Sequence, residues 1–175
     1  ELMGAAALGI RNLLLLKGDD PQQGDQPEAK PVFDYDTAML TKVAVAMRDK
    51  GELPTGRKVG GKAQFFVAAA DMPIEPPAGW EPKGLAGKIA AGAQFVQTQF
   101  CMDAGVVRRY LARLAEHKIK DLSVIIGIAP LRSAKSAMWM KEKLFGTIIP
   151  DAIVVRMEQA ADPVGTQRRG QTLQG

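Results

Sequence analysis

The sequence predicts an α/β fold built on a parallel sheet. Short apolar runs alternate with helical patterns, so that a strand-then-helix order recurs four times. The runs are continuously apolar, as in strands buried on both faces of a parallel sheet. The composition is also that of a globular domain, with 175 residues of which 46% are hydrophobic and 24% charged.

The chain opens on an apolar helical segment, residues 2–8. The first strand is expected over 12–17, with four consecutive leucines. Residues 36–50 then place Met39, Leu40, Val43 and Met47 on one helical face, and Gly51 stops the helix. The second strand spans 64–70. A helix follows over 81–91, with Leu85 and Ile89 on its apolar side and Gly92 at its end. The third strand, 94–100, leads to a helix over 103–118 that carries Val106, Val107, Tyr110, Leu111 and Leu114, with Asp103 as N-cap. The fourth strand, 122–128, precedes a helix over 133–144 capped by Ser133. A last short helix runs over 150–160, with Pro150 at its start. Four such units are half of an eight-unit barrel or part of a doubly wound sheet, and the pattern does not choose between them.

Composition excludes several function classes. Cys101 is the single cysteine and His117 the single histidine, so a disulfide scaffold and a cysteine-rich zinc site are excluded, and no metal site is expected. No apolar run approaches the roughly 18 residues a membrane span needs. The net charge of +4 permits an anionic partner, but the basic residues are scattered and aromatic platforms are few, so no nucleic acid is expected. One thiol and no visible leader suit the cytoplasm. Position 1 is Glu and residues 161–175 form a polar tail, with Arg168 and Arg169 in it; the expectation is a piece of a longer protein, its folded part covering 1–160.

In parallel α/β folds function gathers where strands end. The first strand ends in Lys17-Gly18-Asp19-Asp20-Pro21, the second in Asp71-Met72-Pro73, and the fourth in Ala129-Pro130-Leu131-Arg132-Ser133. Gln97 and Gln99 share a face of the third with Phe95; they read equally as a ligand-facing polar wall or as amides paired inside a barrel. Gly18 would let a ligand approach the backbone, with Asp19 at its edge. Gly-Asp-Asp-Pro is also good turn chemistry, and on the residues alone the turn is the better reading. Residues 56–63 resemble a phosphate loop, but Ala63 stands where Ser or Thr would hold magnesium and the loop precedes a strand, so it reads as a surface connection. The proline-rich segment 71–80 is a rigid loop at the functional end. Cys101 reads as a semi-buried, inert thiol and His117 as a cation near a helix end. Arg132 and Lys135 read equally as anion contacts or as solvated charges.

Four motifs then bring a family into view: Leu-Lys-Gly-Asp-Asp-Pro at 16–21, Gly24-Asp25 with Pro27-Glu28, Ala-Gly-Ala-Gln-Phe-Val-Gln-Thr-Gln-Phe at 91–100, and Gly-Ile-Ala-Pro-Leu at 127–131. Together, in this order, they resemble the methylenetetrahydrofolate reductase family over roughly residues 1 to 160. The resemblance implies a (β/α)8 TIM barrel, of which this chain supplies roughly four βα units. It implies an oxidoreductase that passes hydride from NAD(P)H, usually through FAD, to 5,10-methylenetetrahydrofolate, giving 5-methyltetrahydrofolate in one-carbon and methionine metabolism. The partners it implies are folate and nicotinamide small molecules, with a homo-oligomer for the full-length protein.

By position, Asp19 matches the family aspartate beside the flavin pyrimidine and the folate, a catalytic and substrate-binding role. Lys17 and Gly18 match neighbouring flavin contacts. Gln99 matches the glutamine on the folate pterin. Lys88 matches a basic residue near the FAD phosphates, and Glu81 an acidic ribose-side position. There are departures. Ala134 replaces an aromatic residue, Ala70-Asp71 stands where flavin contacts are familiar, and the general-acid glutamate belongs to a first strand outside these units. A flavin-free variant is one expectation from those departures. Another is that the chain by itself does not turn over, the alternative reading being a non-catalytic barrel remnant that serves as a binding module.

Overall fold

The computed structural model describes residues 1–161; residues 162–175, which include Arg168, Arg169 and nearly all of the expected polar tail, lie outside the described residues. The order is α1 (Leu2–Ala7), β1 (Asn12–Leu15), a 3-10 turn (Pro21–Gln23), α2 (Thr37–Asp49), β2 (Phe66–Asp71), α3 (Lys83–Ala90), β3 (Phe95–Phe100), α4 (Ala104–Glu116), β4 (Ser123–Gly127), α5 (Ala134–Lys143) and α6 (Asp151–Ala161). The chain is therefore α/β, with one four-stranded parallel sheet in the order β1-β2-β3-β4. There is thus no switch point among these strands, which is consistent with part of a TIM barrel.

Local chemistry sets the helix starts. Asp36 accepts from the Met39 N–H at 2.7 Å and begins α2. Asp103 accepts from the N–H groups of Gly105 and Val106 at 2.7 and 3.1 Å and begins α4. Ser133 and Ser136 exchange hydrogen bonds as a capping box for α5. α3 starts at Lys83, two residues later than expected, because Pro82 is its N-cap and offers no side-chain acceptor.

The chain forms two compact units. One holds Glu1–Asp71, Gly79–Gln97 and Leu114–Ile125; the other holds Met72–Ala78, Thr98–Arg113 and the chain from Ile126 onward. In the first, β1 pairs parallel with β2, Asn12 opposite Phe66 through Leu15 opposite Ala69. Leu15 and Val67 pack with Ala44 and Met47 of α2 and with Phe65. The opposite parity is only partly covered: Ala68 is buried, but Leu14 is 38% and Phe66 44% exposed, and the Phe66 and Phe95 rings stack at 5.0 Å. This corrects the expectation of strands buried on both faces. A run of leucines satisfies one covered face as well as two, so sequence could not show that the second face is open. In the second unit Ala137, Ile149 and Val154 form the core, and the chain after α5 bridges in parallel to Cys101 through Ile148.

Two glycines of the motifs have structural reasons. Gly92 has φ +109°, and a Cβ there would lie 2.6 Å from Val45 Cγ2. At Gly127 a Cβ would meet the Thr98 carbonyl oxygen at 2.6 Å.

Candidate functional site

In the first unit the carboxyl end of β1 runs into an exposed turn. β1 stops at Leu15, two residues short of the expected Lys17, and Leu16 to Asp20 follow as loop. Asp20 accepts from the Gln22 N–H at 3.0 Å and caps the 3-10 turn. The turn chemistry of Gly-Asp-Asp-Pro is therefore carried by Asp20. Asp19 is exposed and makes no hydrogen bond or ion pair among the described residues. Lys17 holds its ammonium 4.4 Å from the centre of the Phe33 ring. Gly18 has no positive φ, and a Cβ on it would meet nothing within 4 Å. Nothing in the protein's own backbone requires glycine there.

Lys88, half-buried on α3, donates to the Ala70 carbonyl oxygen at 2.5 Å. The structure thus brings this cation to the carboxyl end of β2, at the Ala70-Asp71 pair that the sequence marked as a departure. Glu81 stays exposed just ahead of α3, 3.3 Å from Lys83 in an ion pair. That contact is solvated and contributes little.

In the second unit Gln99 is engaged at both ends of its amide. Its Nε2 donates to the Phe145 carbonyl at 3.1 Å, and its Oε1 accepts from the Phe100 N–H at 3.0 Å. Gln97, in the first unit, is exposed. Gln97 is thus solvated, and Gln99 is held by backbone groups.

Sequence missed the ion pair of Glu75 with Arg109, whose guanidinium donates to both carboxylate oxygens at 2.6 Å. The pair joins the proline-rich loop to α4 across 34 positions, and no local signal announces it. Arg109 holds the Glu75 carboxyl below the usual carboxylate range. With the folded value lowered, the pair contributes above the ordinary carboxylate pKa and is lost as pH falls through the lowered value. Protection of the 72–78 amides, taken relative to their intrinsic exchange rates, is therefore expected to fall below about pH 4. Glu75→Gln should abolish that step, and an identical acid response in both proteins would contradict the assignment.

Cys101 is 4% exposed, and burial pushes its thiol up, which fits the inert reading. His117 sits just past α4 with Nε2 3.2 Å from the Trp80 carbonyl oxygen. Arg132 and Lys135 are both exposed beside the capping box. Among the described residues no cluster of three or more His, Cys, Asp or Glu could hold a metal ion, and no helix is long and apolar enough to cross a membrane.

Residues 1–173 match the protein-family model described as methylenetetrahydrofolate reductase. The chain belongs to the methylenetetrahydrofolate reductase family. No curated protein matches it. Membership in the methylenetetrahydrofolate reductase family makes this a chain of a folate-metabolism oxidoreductase family. It accords with the order of the four motifs and with the consecutive parallel strands. It also sets the test for a flavin, the cofactor on which the family generally depends. The donor set at β1 fits the polar edge of one: an exposed cation, an exposed carboxylate without a protein partner, and a glycine with open space where a side chain would stand.

Proposed function

We propose that the chain serves the reduction of 5,10-methylenetetrahydrofolate to 5-methyltetrahydrofolate by NAD(P)H, as the folate- and cofactor-binding units of a methylenetetrahydrofolate reductase barrel. The observation that carries this reading is the turn after β1, where Asp20 satisfies the local structure and Asp19 has no partner among the described residues. A carboxylate that no neighbour uses, at the carboxyl end of a strand in this fold, is available to a ligand.

Lys17, Gly18 and Asp19 would line the flavin pyrimidine, with Lys88 toward its phosphates and Glu81 toward its ribose. A bound flavin supplies the hydride relay between NAD(P)H and the folate. Asp19 favours the cationic iminium form of the folate, because a fixed negative charge stabilises positive charge developing beside it. Gln99 presents its amide to the pterin after exchanging its Phe145 contact for the ligand. The departures at Ala134 and Ala70-Asp71 leave direct transfer from nicotinamide as the form the same reaction takes if no flavin is bound. Folate and nicotinamide are the partners, in a soluble, cytoplasmic homo-oligomer.

Gly18→Ala separates ligand approach from folding. The added methyl meets nothing in the protein, so stability is expected to change by less than about 0.5 kcal/mol. Flavin or folate affinity, followed by fluorescence titration, is expected to fall. Unchanged affinity for both would remove Gly18 from the site.

A further inference from the structure

At the amino ends of β1 and β2, remote from the Lys17–Asp19 turn, the first unit holds an open cavity of about 420 Å³. Arg11 and Lys62 stand at its rim, Met3 and Met47 form part of its walls, and Gly60 and Gly61 contribute backbone. The glycine turn belongs to the 56–63 connection, which the folate chemistry does not use.

Its features converge on an anion. Gly61 has φ +95°, and neither Gly60 nor Gly61 has an atom within 4 Å of where a Cβ would stand, so the backbone there faces open space. The flanking N–H groups are spent, Val59 on the Gly51 carbonyl and Ala63 on the Met47 carbonyl. Those of Gly60, Gly61 and Lys62 make no hydrogen bond among the described residues. Successive free N–H groups around a left-handed residue form a concave anion nest. Arg11 and Lys62 make no ion pair among the described residues, and Asp49, whose carboxyl feels Lys62, is held by Arg48 at 2.7 and 3.1 Å. The carboxyl end of α1 also borders the cavity, but Ala5 and Ala6 already accept from Ile10 and Gly9. Apolar walls beside a cationic rim select a ligand with both characters.

We propose that this cavity binds a small organic phosphate, its phosphate on the Gly60–Lys62 turn between Arg11 and Lys62 and its apolar body against Met3 and Met47. The site is independent of the folate reading, because every residue in it lies before β1, in α2 or between α2 and β2.

The test is titration of the ¹⁵N-labelled protein with phenyl phosphate and, separately, inorganic phosphate. Saturable shifts of the Gly60, Gly61 and Lys62 amides are expected, with phenyl phosphate binding the tighter. The double variant R11Q/K62Q, altered only at exposed side chains, should keep its melting temperature and bind at least about tenfold more weakly. Absence of saturable shifts, equal affinity for the two phosphates, or undiminished binding by R11Q/K62Q would each overturn the proposal. So would co-sedimentation with phosphatidic-acid vesicles in a protein that ignores phenyl phosphate, since that points to a lipid surface.

Discussion

Asp19→Asn in the full-length protein is expected to lower kcat for methylenetetrahydrofolate reduction by about 10²-fold, the usual cost of losing one charged group aimed at developing charge. The change is nearly isosteric, and Asp19 is exposed without a partner among the described residues, so the melting temperature should stay within about 1–2 °C of wild type. KM should move less than kcat, because the charge matters most where the folate becomes cationic. Steady-state kinetics with both nicotinamides reads this directly. A variant with wild-type kcat would show that Asp19 only shapes the loop, even though Asp20 already does so.

Gly127→Ala is expected to have the largest effect on stability. A Cβ there would stand 2.6 Å from the Thr98 carbonyl oxygen and 3.1 Å from the Gln99 carbonyl group, all backbone atoms that cannot rotate away. The Gly127 carbonyl accepts from the Cys101 N–H at 3.0 Å, and its N–H donates to Thr98 Oγ1 at 3.0 Å. Relief of the clash must therefore part hydrogen bonds between neighbouring strands. A loss of about 1–3 kcal/mol is expected, the range for overpacking, read from chemical denaturation. Because the displaced backbone includes Gln99, folate affinity should fall with it. Wild-type stability would mean that the two strands separate at little cost.

The fold was legible where local chemistry decides it. Asp103 and Ser133 announce helix starts because a short acceptor side chain ahead of an apolar period has few other uses. The four strands follow from apolar runs of strand length between helical periods. The open sheet face was not legible: Leu14 and Leu15 look alike in sequence, and only the packing of α2 separates the 38% exposed residue from the buried one. Nor does periodicity decide between a barrel and a doubly wound sheet, since strand order is a long-range property.

The candidate site was legible through its motifs more than its chemistry. Read alone, Gly18-Asp19-Asp20-Pro21 is a turn, and the turn exists, but it uses Asp20. Which of two adjacent aspartates is spent on backbone appears only in three dimensions. Lys88 and Gln99 were nominated by motif position, and nothing in their neighbours' identity foretells that backbone carbonyls of Ala70 and Phe145 hold them. The Glu75–Arg109 pair escaped for the same reason.

Supplying 5,10-methylenetetrahydrofolate with NADH or NADPH to the full-length protein, beside Asp19→Asn, and measuring 5-methyltetrahydrofolate asks whether the turn after β1 serves folate reduction. The predicted result is turnover by the wild type with at least one nicotinamide and about 10²-fold less by the variant. A properly folded wild type that forms no 5-methyltetrahydrofolate with either nicotinamide, with or without added FAD, would show that the protein does not reduce methylenetetrahydrofolate.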